Sequence, residues 1–398
     1  MLQGDLDQLK REVCATVDSL RDALLRVSHA IHAAPELAFE ERQASALLVE
    51  TLRGFGLEVT AGAYGLATAF AADFGSGDGG RVALLAEYDA LPEIGHACGH
   101  NLIATASVGA GLALQALGDR LPGRVRILGT PAEERGGGKE RMAQQGALEG
   151  VDAALMMHPS GANLVNMPSI AVAEVTARYR GQAAHASAMP EHGRNALDGL
   201  VLAYQSIAAL RQHIQANERI HGIITRGGQA VNIVPDLAEG LFYVRARGAN
   251  ELEPLKARVA ACFEAGALAT GTEVEIAWGE VDYLPVRFNA PLAHQFQVNA
   301  EALGRHFLPH EKIPPNFAGS TDMGNVSCRV PAIHPMLAAA PPQVLIHNAE
   351  FERYAGGELG DAAALDGAKA LAMTALDFLC DEELRRCTRE AFEREQAG

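Results

Sequence analysis

Two short apolar runs, each opened by a glycine, constrain the fold of this chain more than any other feature: residues 80 to 86 (GRVALLA) and 123 to 129 (GRVRILG). Short runs of this kind, rich in Val, Ile and Leu and bounded by glycine, predict short buried strands. Between them, residues 101 to 117 (NLIATASVGAGLALQAL) predict a buried, Ala-rich helix. Strand, helix, strand in this order is the signature of neighbouring parallel strands. Groups at the carboxyl ends of such strands are the first place to look for chemistry.

A chain of 398 residues is too long for one core of about 100–200 residues, so two domains are expected. Amphipathic helices are predicted over 5–33 and 41–54, and a further core strand over 151–158 (VDAALMMH) that ends on His158. From about 171 the pattern changes. A strand (AVAEVTARYR), a helix from near Gly193 to about 212, strands near 220–226 and 237–247, a helix over 250–267 and a strand over 272–279 follow one another. That βαββαβ order is the order of a ferredoxin-like unit. After Pro285 helices and short strands return, closing with a helix around 358–378 and a charged tail. The expected fold class is therefore α/β. A larger domain (1–170 and 286–398) holds a mixed, largely parallel sheet flanked by helices, and a ferredoxin-like α+β domain (171–285) is inserted into it.

The formal net charge of −16 argues against nucleic acid and anionic membrane as partners, since both attract Lys and Arg clusters, and leaves a small molecule as the expected partner. The N-terminal segment mixes charges at helical spacing without an apolar secretory core, and no stretch reaches the eighteen or so apolar residues that span a bilayer. Six scattered cysteines (Cys14, Cys98, Cys262, Cys328, Cys380, Cys387) do not suggest a disulfide framework. A cytoplasmic location is the resulting expectation.

Cys98 stands apart because histidines surround it. Glu87-Tyr88-Asp89-Ala90-Leu91-Pro92 and His96-Ala97-Cys98-Gly99-His100-Asn101 directly follow the first strand. Thiolate and imidazole both ligate zinc-like ions, and the glycine between them permits a turn that aims both donors inward. Alone, such a pair reads first as a buried thiol beside a hydrogen-bonded core histidine. The second strand, however, runs into Thr130-Pro131-Ala132-Glu133-Glu134, where one carboxylate can hold a metal and its neighbour act as a base, although acidic residues also suit a helix start. His158 and His347 each close an apolar run, AALMMH and QVLIH.

Taken together, LLAEYDALPEIGHACGHN, GTPAEERGGGK, MMHPS, GQAAHAS, VNIVPD, GSTDMGNVS and LIHNAEF closely resemble the dinuclear metallopeptidase family that includes aminoacylases, carboxypeptidase G and N-acyl amino acid amidohydrolases. Within it the chain looks most like the branch of aminobenzoyl-glutamate hydrolase and the aminoacylase-like dipeptidases. The resemblance runs from residue 31 to Phe351. It implies two divalent metal ions per chain, zinc or manganese, with Cys98 bridging, His100 and His158 completing one site, and Glu134 and His347 the other. It also implies Glu133 as general base, Asp89 as a carboxylate orienting a ligand, and His185 as an oxyanion donor reaching a neighbouring subunit from the inserted domain, which would be a homodimerising lid. Asn232 resembles a substrate-binding position, though a turn residue before a strand would look the same.

The implied reaction is hydrolysis of the amide bond in an N-acyl amino acid, an aminobenzoyl-glutamate-like conjugate or a dipeptide, by hydroxide generated from a water between the metals, with Glu133 taking the proton. Gly319 and Ser320, in the Gly319-Ser320-Thr321-Asp322 loop, or Arg245, are candidates to meet a substrate carboxylate. Two positions depart from relatives: Glu87 stands where other branches carry a metal-binding histidine, and Asn101 where the plant-hormone-conjugate branch has aspartate. The competing reading is a silent relative that only binds a small amide. Three features are set aside: Arg135-Gly136-Gly137-Gly138-Lys139 lacks phosphate-loop spacing and reads as a flexible loop, His29 and His32 read as structural, and His306 and His310 share a possible helix face without a carboxylate pattern.

Overall fold

The computed structural model describes residues 3–309, 312 and 318–397, and the chain divides into two compact units, Met1–Pro168 with Val286–Gly398, and Ser169–Pro285. His310 lies outside the described residues. The first unit contains β1 (Thr60–Ala61), β2 (Phe70–Phe74), β3 (Arg81–Glu87), β4 (Arg124–Thr130), β5 (Ala153–Leu155) and β6 (His158–Ser160). The second contains β7 (Ala171–Arg180), β8 (Arg219–Arg226), β9 (Leu237–Ala246) and β10 (Glu273–Trp278); β11 (Ala332–Ile333) and β12 (Met336–Ala338) follow on return to the first.

The main sheet has the order β1-β2-β4-β3-β5-β11. β3 lies parallel to β4 and β5, and β5 to β11, whereas β2 runs antiparallel to both β4 and β1. It is thus a mixed sheet, parallel around its centre. The predicted connecting helix, His100 at its start and Gln115 at its end, is buried along nearly all its length. It packs against the helix Glu358–Cys380, and a side chain at Gly109 would meet Leu24 and Ala368 within 3.1 Å, so small residues here are what lets the layers close.

Three expectations need correction. The 151–158 strand is two strands: β5 belongs to the main sheet, and β6 pairs with β12 in a separate parallel pair, with Met336 opposite His158. The partner segment contains Pro335, which has no N–H to give; the ladder is interrupted there and resumes in the same parallel register, Ile333 opposite Leu155 before it and Met336 opposite His158 after it. The helix expected over 5–33 is two, Gln3–Ser19 and Arg21–Ala33. The Ser19 hydroxyl donates to the Thr16 carbonyl at 2.7 Å, competing with the backbone ladder at that point. The charged tail is a helix, Glu382–Ala397.

The second unit runs strand, helix, strand, strand, helix, strand and forms an antiparallel sheet in the order β10-β7-β9-β8. β7 alternates buried and partly buried residues along its length, and its inner face joins a core with the helices Ala196–Leu210 and Ala249–Thr270. Among the described residues no helix is long and apolar enough to cross a membrane.

One buried carboxyl group ties the approach to helix Arg42–Gly54 to the loop after β4. Glu41 is fully buried, and its Oε1 accepts the backbone N–H groups of Phe39 (2.9 Å) and Ala132 (2.8 Å), two non-glycine residues with φ of 65° and 63°. Burial, with Asp89 nearby, raises its pKa from 4.5 to about 7. The native state therefore holds this proton longer than the unfolded chain, and stability falls as pH rises between those values. Glu41→Gln keeps the Oε1 acceptor and cannot ionise. In urea unfolding of chelated protein it should exceed wild type by about 1–3 kcal/mol at pH 8, with the gap closing towards pH 5; equal differences at both pH values would contradict this role.

Candidate metal centre

The ends of β3, β4 and β5, the start of β6 and the loop before Asn348 bring the polar residues of the sequence motifs together. β3 ends on Glu87, the chain turns through Asp89 to Cys98, and Gly99 at φ 80° opens the helix at His100. A side chain at Gly99 would stand 2.6 Å from Pro159, so both the backbone angle and the space require glycine between the two donors.

Each donor is aimed by a partner. His100 donates from Nδ1 to Asp89 Oδ1 at 2.9 Å, and the other oxygen of Asp89 accepts the Glu134 N–H at 2.9 Å. Asp89 thus fixes His100 and Glu134 together. His158 donates from Nδ1 to the Pro159 carbonyl at 2.7 Å, leaving Nε2 as the lone-pair nitrogen 3.4 Å from Cys98 Sγ. His347, at φ 64°, is held by its N–H on the Ala97 carbonyl (2.8 Å), and its Nε2 lies 3.2 Å from Cys98 Sγ and 3.5 Å from Glu134 Oε1.

These atoms form donor sets fit for cations. Cys98, His100 and His158 make one; Cys98, Glu134 and His347 make a second; in each the ligand atoms lie within 4.8 Å of one another. Cys98 belongs to both, so its sulfur can bridge two ions. The fit has a second support: His100 Nε2, Glu134 Oε1 and Glu87 Oε1 are buried without a hydrogen-bond partner. Buried polar atoms are rarely left so, and thiolate, imidazole and carboxylate are zinc-type ligands. Burial pushes the Cys98 thiol well up and holds His158 down to about 3 with help from His334 and His100. It raises Glu134 to about 7. A neutral imidazole is what a cation needs, whereas the thiol must lose its proton as the cation arrives.

Three nearby residues escape the sequence reading. Lys139 does not lie in a flexible loop; it is in the first turn of the short helix Gly138–Gln144 and is buried, its ammonium paired with Glu87 and, at 2.6 Å, with Asp322 Oδ1. Asp322 Oδ2 also accepts the Lys139 N–H at 2.9 Å, so both of its oxygens are held by one residue. His334, buried, packs edge-on against His158 with centroids 5.3 Å apart. Neither Lys139 nor His334 carries a signal in the sequence beyond its own residue type. His29 meets Asp361 at 2.7 Å and His32 the Glu352 carbonyl at 2.9 Å, while the His306 carbonyl accepts from Asn163.

In the second unit His185 is exposed and its Nδ1 accepts N–H groups from Ser187 (3.3 Å) and Ala188 (3.2 Å). The neighbouring Ala186 N–H donates to the Asn232 carbonyl at 3.0 Å, so these two motif residues are adjacent. Arg245 lies in β9 with its guanidinium 5.7 Å from the Tyr243 ring centroid. In the first unit the Gly319 N–H donates to the Pro168 carbonyl at 3.1 Å.

Removing the ammonium from the Glu87–Lys139–Asp322 cluster would leave buried carboxylates facing one another. Lys139→Met should lower unfolding stability by about 3–5 kcal/mol in urea titration; a loss below about 1 kcal/mol would show that the cluster carries no structural weight.

Comparison with known proteins shows the family. The chain matches Peptidase family M20/M25/M40 over residues 83–377. It is 41% identical to a mouse (Mus musculus) Xaa-Arg dipeptidase, over 98% of this chain and 93% of the relative. It is 29% identical to a p-aminobenzoyl-glutamate hydrolase polypeptide of Escherichia coli (strain K12), over 97% and 95% respectively. Its fold resembles an aminobenzoyl-glutamate utilization protein from Klebsiella pneumoniae (TM-score 0.73, 18% identity, 94% of this chain and 98% of that one). It also resembles a Bacillus subtilis dinuclear metal-binding peptidase (TM-score 0.67, 22% identity, 91% and 99%). The chain therefore belongs to Peptidase family M20/M25/M40 and is a hydrolase of amide or peptide bonds.

Proposed function

We propose that the chain hydrolyses the amide bond of a small substrate bearing a free carboxylate, a dipeptide first and then an N-acyl amino acid or aminobenzoyl-glutamate-like conjugate. Cys98, His100, Glu134, His158 and His347 would hold two divalent cations. The observation that carries this reading is the sharing of the Cys98 sulfur by two donor sets with the Glu133 carboxyl beside them, in the Glu87, His100 and Glu133 cluster. The names of two relatives, a dipeptidase for Xaa-Arg and a hydrolase of p-aminobenzoyl-glutamate, set the order of substrates.

Two cations there would lower the pKa of a water towards neutrality and polarise the scissile carbonyl. The donor set can take zinc or manganese, and the Cys98 thiolate favours zinc. Glu133, buried and raised by burial and by its neighbours Glu87 and Glu134, is suited to take the proton of the attacking water and pass it to the departing nitrogen. Asp89 keeps the His100 ring turned so that Nε2 faces the centre. Because Nδ1 of His185 already accepts backbone N–H groups, its Nε2 carries the proton and can donate to an oxyanion. Asn232, adjacent to it, and Gly319 and Ser320, in the loop anchored through Asp322 to Lys139, are the proposed substrate contacts.

The second unit is read as a ferredoxin-like lid and dimerisation domain, supported by its strand order and by the exposed Val201, Leu202, Ile223 and Ile224 on its outer helix and edge strand. The cytoplasm is the proposed location; the described cysteines form no disulfide, which suits a reducing compartment.

The test is hydrolysis of a panel of dipeptides ending in arginine, other dipeptides, N-acyl amino acids and aminobenzoyl-glutamate, before and after chelation, with Glu133→Gln alongside. We expect chelator-sensitive cleavage, and in Glu133→Gln about a 10²–10⁴-fold lower kcat with metal content unchanged. Wild-type turnover in Glu133→Gln would end its assignment as base. Failure of the metal-replete protein on every substrate would end the proposed substrate class.

A further inference from the structure

We propose that Glu87 is an additional ligand, through Oε1, for the cation on the His100 side of the centre, and that Lys139 is the positioning residue that fixes its carboxylate. The inference rests on the dinuclear reading above. Glu87 closes β3 and is fully buried. Its Oε2 is paired with the Lys139 ammonium, which Asp322 Oδ1 holds from the other side at 2.6 Å while Asp322 Oδ2 accepts the Lys139 N–H. The carboxylate plane is thereby set, and Oε1 is left without a hydrogen-bond partner 2.9 Å from His100 Nε2, which has none either.

That closeness needs an explanation. Asp89 Oδ1 accepts from His100 Nδ1, so the other ring nitrogen, Nε2, is the one that faces Glu87 Oε1. At 2.9 Å the two atoms are in close contact without meeting the geometry of a hydrogen bond. A cation bound there would take one donor atom from each. The ligand atoms of Glu87, His100 and Glu133 lie within 4.8 Å of one another, which places Glu87 on the same side as the proposed base.

The consequence is an unequal pair. The His100-side cation would take sulfur from Cys98 and nitrogen from His100 and His158, one of the donor sets described above, and on this proposal oxygen from Glu87 as a fourth protein donor. The other has Cys98, Glu134 and His347, with the His347 side chain 50% exposed, and so keeps a position open for water or substrate. The closed site should bind first and more tightly.

The experiment is titration of chelated full-length protein with zinc against a competing chelator, and with cobalt followed by visible absorption. Wild type, Glu87→Gln and His347→Ala are compared, with folding checked by circular dichroism. Wild type should show two classes of site. The first cobalt equivalent should produce most of the intense four-coordinate absorption. Glu87→Gln should weaken the tight class at least about tenfold and leave the loose class unchanged; His347→Ala should do the reverse. If Glu87→Gln does not fold, Glu87→Asp, which keeps the charge beside Lys139 but withdraws the oxygen by one methylene, should show the same selective loss. Two wild-type sites with unaltered affinities in a folded Glu87 variant, or four-coordinate absorption growing evenly over both equivalents, would overturn the inference. A wild-type protein that binds fewer than two ions would instead overturn the dinuclear reading.

Discussion

The first unit is organised around a concentration of buried negative charge that its own cations do not balance. Glu87, Asp89, Glu133 and Asp322 are all buried, Glu134 is nearly so, and the Cys98 thiol sits among them, while Lys139 is the buried ammonium that answers Glu87 and Asp322. An uncompensated buried charge costs several kcal/mol, so such groups either stay protonated or receive a cation. Burial drives Glu133 well up and Glu134 to about 7, whereas Glu87 is held well below the usual carboxylate range because His100 and Lys139 outweigh burial. Divalent ions would relieve the remainder, which ties metal binding to the stability of the fold as well as to its chemistry.

The sheet is what makes that concentration possible. β3, β4 and β5 run parallel, so their carboxyl ends lie along one edge, and each delivers part of the site: Glu87 to His100 after β3, Glu133 and Glu134 after β4, His158 just beyond β5. Backbone held at positive φ at Ala132 and His347 sets the final directions, and in both cases a hydrogen bond to a buried partner fixes the bend, Glu41 Oε1 for the first and the Ala97 carbonyl for the second. A rigid scaffold of this kind aims donors to a few tenths of an ångström, which loops alone do not achieve.

Much of this is legible in the sequence because parallel strands covered on both faces leave long apolar runs, and a strand end announces itself where such a run meets Glu, His or Cys. GRVALLA and GRVRILG match their strands to within one residue. Segment 151–158 reads as a single strand because an apolar run does not reveal where its ladder is interrupted; the interruption falls opposite Pro335, far along the chain, between two stretches of the same parallel register. Lys139 escapes for a different reason. A lysine after three glycines looks like solvated loop unless the two carboxylates that neutralise it, 52 and 183 residues away, are known to converge there. Glu41 is invisible in the same way, since its partners are backbone N–H groups that no sequence pattern advertises.

In the proposed centre one sulfur joins two metal sites. An ordinary ligand serves one ion, and its loss should release one; a bridge serves both. The most direct measurement is therefore the metal-to-chain ratio, by elemental mass spectrometry after desalting, of wild type and folded Cys98→Ser protein loaded with zinc. Close to two ions are expected in wild type, with loss of both from Cys98→Ser. Retention of both ions by the variant would contradict a bridging role for the sulfur.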